Sequence, residues 1–319
     1  MLQGMRLNKN IKICLNYLIG ASISIILLWS IWHQVSDQLS SVGNRNWLAE
    51  GDPFYLLFAI ALMPLNLGTE ALKWKLLAGS AQPTTYVESL KTVFAGIAFS
   101  LITPNRVGEY PGRILYLKKQ NTLRLISVAI LGAFAQFFTL FIYGLTGLIY
   151  FNYHYPGPWQ KIVLIACIII TIIIGILFLS FERWIVYLED NRWVRKFRLY
   201  GHILKRFSTR EVCTILALSI FRFAVYTTQY LVLLYWMNIE VGLVHGFLMA
   251  ALFFWAIAVI PSIALAEMGI RGKVSLFLFG HFTANALGIL TVTVSLWCIN
   301  LVIPAVCGSI LLMRLKLFR

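Results

Sequence analysis

Residues 104–117 read PNRVGEYPGRILYL, and residues 261–280 read PSIALAEMGIRGKVSLFLFG. Each stretch opens on a proline, Pro104 or Pro261, and each sets an arginine four residues after a glutamate. The pairs are Glu109 with Arg113 and Glu267 with Arg271, and Gly112 and Gly269 fall inside them. An (i, i+4) spacing puts both charges on one helical face, where they pair or jointly face a cavity. Proline lacks an N–H and fixes φ, which suits a helix start or break. Neither stretch is apolar enough to be a plain membrane span, yet both are flanked by apolar runs that leave no room for a soluble domain. The pattern predicts two broken or re-entrant helices.

The surroundings set the class. Of 319 residues, 60% are hydrophobic and 12% charged, against about 45–50% and about 25% in soluble domains. With a mean hydropathy of +0.80, an ordinary water-soluble fold is excluded. A bilayer core of about 30 Å takes about 20 apolar residues as helix. The stretches that qualify are 12–32, 54–72, 87–103, 123–151, 160–181, 211–236, 244–260 and 283–313. The expected fold is all-α: a single polytopic membrane domain over 1–319, with about eight transmembrane helices plus the two broken segments.

The net charge of +15 would suggest nucleic acid in a soluble protein, but its distribution gives a topological reading instead. Loops 1–12, 73–91, 118–124, 182–211 and 314–319 are basic and sum to +15, whereas 33–53, 152–160 and 237–245 sum to −3. Cytoplasmic loops carry the excess of Lys and Arg. The first span follows Arg6, Lys9 and Lys12 and is too long for a signal peptide, so it reads as a signal anchor with the N-terminus inside. The signs agree only if each broken segment adds one net crossing. That gives five crossings in 11–151 and five in 160–313, an odd number each, hence two repeats of inverted topology with both termini cytoplasmic. The segment 182–210 mixes aromatic residues with eight Lys and Arg and reads as an amphipathic connector on the cytoplasmic membrane surface. No nucleic-acid partner is needed to explain the charge.

Polar residues recur two elements before each broken segment. The first half has Asn66, Glu70 and Lys73; the second has Arg222, Tyr226 and Gln229. Glu70 lies 39 residues before Glu109, and Gln229 lies 38 before Glu267. A charged side chain at mid-bilayer costs at least about 2.5–3.5 kcal/mol, so these residues should face the bundle interior or a wet cavity. The same pairs could instead be neutralised ion pairs that pin a helix break, Arg106 could reach an interface, and Glu70 with Lys73 could be a helix-end pair. The five cysteines lie in or beside spans without CxxC spacing, the five histidines are scattered, and the three aspartates are in loops. Neither a disulfide framework, a metal site nor a cofactor is expected.

The elements TPNRVGEYPGRILYL and IPSIALAEMGIRG, in that order within an all-helical membrane chain, resemble the transmembrane region of lysylphosphatidylglycerol synthases, the multiple peptide resistance factor flippase domain, and its stand-alone flippase-like relatives. The likeness runs from about residue 11 to 313. It implies a bacterial inner-membrane protein whose inverted repeats surround a cavity that admits lipid headgroups, with Arg106, Glu109 and Arg113 matching the first motif and Glu267 and Arg271 the second. Full-length synthases carry a cytosolic aminoacyl-transferase domain after this region. This chain stops six residues after Met313, so no lysyl transfer is expected of it.

The leading expectation is therefore a transporter: a translocase for phospholipids or polyprenyl-phosphate-linked lipids. Arg106, Glu109, Arg113, Glu267 and Arg271 would meet an anionic or zwitterionic headgroup, supported by Glu70, Arg222 and Gln229. Arginine suits phosphate through its planar fork, and no phosphate-binding loop of the GxxxxGK[ST] type is present. Two alternatives stay open. One is a polytopic lipid-linked glycosyltransferase using Glu50 and Asp52, where Gly-Asp-Pro reads equally as a helix cap. The other is a non-transporting membrane partner of a lipid-modifying enzyme. A homo-oligomer is compatible with each.

Overall fold

A computed structural model describes Trp29 and residues 51–101, 103, 108–117, 122–180, 207–260 and 264–313. The expected first span, Glu50, Arg106 and nearly all of the basic connector lie outside the described residues. Among those described, every regular element is helical: α1 Pro53–Gly79, α2 Tyr86–Ser100, α3 Glu109–Leu115, α4 Thr122–His154, α5 Pro158–Leu179, α6 Thr209–Trp236, α7 Leu243–Val259, α8 Ala264–Phe279, α9 Ala286–Trp297 and α10 Ile303–Met313.

The ends of these helices follow from local chemistry. Asp52 accepts from Phe54 N at 2.9 Å, and Pro53 occupies the first helical position of α1. The carboxylate offered above to a glycosyltransferase reading is thus a helix cap. Thr85 with Glu88 and Ser208 with Glu211 form reciprocal capping boxes at the starts of α2 and α6, each satisfying N–H groups that have no partner inside the helix.

Among the described residues, five helical stretches are long and apolar enough to cross a membrane: α1, α4, α5, α6 and the stretch Ala286–Met313. The helices α2 and α7, with 15 and 17 residues, fall short of the usual length. The two broken segments differ from each other. The first yields only the seven-residue α3 after Gly108, whereas the second contains a 16-residue helix that runs through Gly269 and Gly272. A Cβ on Gly272 would stand 3.1 Å from Leu290 Cδ2, whereas one on Gly269 would meet nothing within 4 Å. The final span carries a π-helical turn, Cys298–Val302, between α9 and α10.

Two apolar cores organise the packing. One centres on α6, α7 and parts of α4, α8 and α9, around Tyr230, Phe253 and Trp236. The other centres on α1, α2, α4 and α10, around Trp74, Leu77 and Leu125. Met63, Phe134 and Phe138 pack against both. The most extensive helix contact is α1 on α6, followed by α7 on α4 and α10 on α2. Peripheral α5 leans on α4 and exposes Ile162, Ile165, Ile169, Ile172 and Ile173, a surface suited to hydrocarbon.

Candidate functional site

The polar side chains of the spans converge where the two cores meet. Glu70 of α1 is 3% exposed and receives three cations: Arg113 Nη1 at 2.7 Å on one oxygen, and Lys73 Nζ and Arg222 Nη1, both at 2.8 Å, on the other. Arg113 also pairs with Glu109, four residues earlier on α3. The (i, i+4) pair anticipated from the sequence is therefore formed, and it is tied in turn to a second carboxylate, Glu70, on another helix. Arg113 lies against the Trp74 ring, 5.2 Å from its centroid, and its Nε has no hydrogen-bond partner. Lys73 extends the cluster to Gln136 Oε1 on α4 at 3.2 Å.

The seating of α3 depends on a glycine contact. A Cβ on Gly112 would stand 2.9 Å from the Ala95 carbonyl and 2.9 Å from Gly96 Cα, and one on Gly96 would stand 2.7 Å from Arg113 Cγ and from the Glu109 carbonyl. These are distances that only hydrogen tolerates, so α3 lies flat on α2 and Arg113 reaches Glu70 because neither position carries a side chain.

From Arg222 a second chain of bonds crosses the bundle. Arg222 Nε donates to Asn66 Oδ1 at 2.9 Å, Asn66 Nδ2 donates to Asn300 Oδ1 at 3.4 Å, and Asn300 Nδ2 donates to Gln229 Oε1 at 2.8 Å. Gln229 Nε2 ends the chain on the Ala59 carbonyl at 2.7 Å, one turn before Pro64 inside α1. Asn300 lies in the π-helical turn, a distortion that recurs at functional sites.

Beside this network is a cavity of about 620 Å³, within the size range of small-molecule sites. Its lining combines polar side chains, Asn66, Glu109, Tyr110, Gln136, Arg222, Arg271 and Asn300, with apolar and aromatic ones, among them Phe137, Leu140, Phe223, Phe254 and Ile257. Tyr226 also lines it and stacks near Phe254 with centroids 4.6 Å apart.

The geometry redistributes the sequence-derived residues. Arg113 is buried within the cluster, 3% exposed, and Glu109 reaches the cavity. Arg271 lines the cavity and is buried. Arg222 also lines it, with a quarter of its side chain accessible. Gln229 is buried and occupied by its two amide bonds. Glu267 falls in α8 with its side chain outside what is described, and Arg106 lies outside the described residues. Gln136 and Asn300 escaped the sequence reading. Their one signal is an amide inside an apolar run, which in hydrocarbon must find a partner. Among the described residues no group of three or more His, Cys, Asp or Glu could hold a metal ion.

The chain matches the family described as lysylphosphatidylglycerol synthase TM region over residues 17–308. It belongs to this family. The match takes in both motif segments and every residue of the polar cluster. No curated protein matches the chain. Family membership gives the residues above a shared setting: the membrane region of proteins named for a lipid-modifying synthase.

Proposed function

We propose that this family member is a lipid translocase whose cavity holds the headgroup while the acyl chains remain in contact with apolar surface. The observation that carries the reading is a single cavity lined by both charged and aromatic side chains, the two chemistries of an amphiphile. Headgroup passage is slow in a bare bilayer because the polar end must leave water, and a groove with fixed polar partners lowers that cost.

Charge narrows the cargo. In the cluster three cations, Lys73, Arg113 and Arg222, face two carboxylates, Glu70 and Glu109, a surplus of one positive charge. Arg222 spends Nε on Asn66 and Nη1 on Glu70, and it lines the cavity together with Tyr110 and Tyr226. Guanidinium with phenolic donors suits a phosphate oxygen. Glu109 and Arg271 belong to the same headgroup site, Glu267 and Arg106 are assigned to it by their motif positions, and Glu70 and Gln229 support it. The preferred partner is a membrane lipid with an anionic or zwitterionic headgroup.

The wider setting of the reading is a bacterial inner membrane with cytoplasmic termini and two inverted repeats. Matching α1, α2 and α4 to α6, α7 and α9–α10 carries the α4–α7 contact onto α10–α2 and the α1–α6 contact onto itself, which supports paired halves.

Liposome reconstitution tests the function. Wild-type protein should accelerate exchange of headgroup-labelled phospholipid between leaflets, and Arg222→Gln, which can still bond Asn66, should slow it at least about tenfold, the loss of one charge-assisted bond of about 1.5–3 kcal/mol. An unchanged flip rate for anionic, zwitterionic, basic and polyprenyl-phosphate lipids alike would sink the reading.

A further inference from the structure

Much of the cavity's apolar lining comes from two neighbouring helices, α4 and α7. α4 and α7 run antiparallel: Gly147 packs against the backbone of Leu248 and Leu252, and Gly144 packs against the ring of Trp255. At this end, toward His154 and His245, the seam is shut by small residues that let the helices touch. Two turns nearer the start of α4, Phe137 lines the cavity and is 45% exposed, and Ala258 of α7 also lines the cavity and is exposed. Residues that line the cavity and stay this accessible form the rim of its mouth between α4 and α7.

Trp255 stands at the upper limit of that opening. Its ring fills the space over Gly144 and meets Phe141 edge-on, with centroids 6.1 Å apart. Its Nε1 is buried without a hydrogen-bond partner, so the ring is held there by packing alone. A buried indole that makes no hydrogen bond is poorly anchored compared with one that does.

We propose that the acyl chains of the transported lipid pass through the α4–α7 seam at Phe137, Leu140, Ile257 and Ala258, and that Trp255 on Gly144 is the latch that limits this opening. The proposal rests on the translocase reading and adds to it the route of the chains and the residue that restrains them. The occupant follows from continuity: the seam borders the same cavity that Arg222 lines, so one molecule with a charged end and hydrocarbon chains fills both.

Photolabelling tests the route in the wild-type protein, independently of any variant's folding. Proteoliposomes would contain a phosphatidylglycerol bearing a diazirine midway along one chain. Label should appear on the Phe137–Leu140 and Ile257–Ala258 peptides, fall with unlabelled phosphatidylglycerol, and disappear in Arg222→Gln, whereas label on Ile172 and Ile173 of α5 should respond to neither. Seam labelling no stronger than that of α5, or indifferent to Arg222→Gln, would overturn the route. For the latch, Trp255→Ala should speed leaflet exchange about threefold or more, as expected where opening limits the rate, with Trp255→Phe close to wild type. A wild-type protein that flips lipid but is unmoved by Trp255→Ala overturns the latch alone. One that accelerates no lipid overturns the translocase reading beneath it.

Discussion

Two helix seams, α4 with α7 and α10 with α2, are closed by glycine in different ways. At Gly308 of α10 the facing atoms are the Phe94 carbonyl and the Ala98 Cβ, so backbone meets backbone. At Gly144 of α4 the facing atoms all belong to the Trp255 side chain. A carbonyl can retreat only with its whole helix, whereas an indole can turn about two bonds. The same device, a missing Cβ, thus fixes the α10–α2 seam at Gly308 and leaves the α4–α7 seam, held on backbone at Gly147, adjustable at Gly144. The adjustable seam borders the aromatic lining of the cavity, and the fixed one borders the side from which α2 holds α3.

Alanine substitution sharpens this contrast. The largest effect belongs to Gly308→Ala, whose new Cβ overlaps the Phe94 carbonyl. Its cost should be in the upper part of the range for overpacking, about 3 kcal/mol, read as a fall in the thermal midpoint in detergent. Gly96→Ala should follow at about 1–3 kcal/mol, because its Cβ meets the stem of Arg113 as well as the Glu109 backbone. Arg113 would be displaced from Glu70, so leaflet exchange should suffer together with stability. Gly144→Ala should cost somewhat less, about 1–2 kcal/mol, because Trp255 Cγ and Cδ1 can swing aside while its Cβ, 2.6 Å from the new methyl, cannot, and combining it with Trp255→Ala should recover only the part due to the ring. A double-mutant cycle measures the recovery, and strictly additive costs would mean that Trp255 does not yield where this comparison says it must.

The sequence exposed the helices more fully than the site. Apolar runs of span length can belong only to membrane helices, and the Glu109–Arg113 spacing marks one helical face whatever surrounds it, so both are readable without coordinates. That Glu70 is the hub was hidden, because the periodicity of α1 does not say which helix it faces, and Arg222 stands 152 residues away in the chain. Asn300 was hidden for another reason. Its placement depends on a π-helical turn, and the apolar residues Cys298–Val302 around it carry no proline or glycine to announce one. The contrast between the seams was equally silent, since Gly144 and Gly308 are alike as letters and differ only in what packs on them.

The hub of three cations on Glu70 also constrains how the chain is made. Glu70 enters the membrane with α1, but Arg222 is translated 152 residues later, a delay of about 8–30 s at about 5–20 residues per second. During that interval Lys73, three residues away on the same helix, is the partner already at hand. A lysine at this position can neutralise Glu70 while α1 inserts, before Arg113 and Arg222 are made, and it keeps that bond in the finished fold. Lys73→Met should then lower the yield of membrane-inserted protein in pulse-chase labelling more than it lowers the stability of the protein that completes assembly.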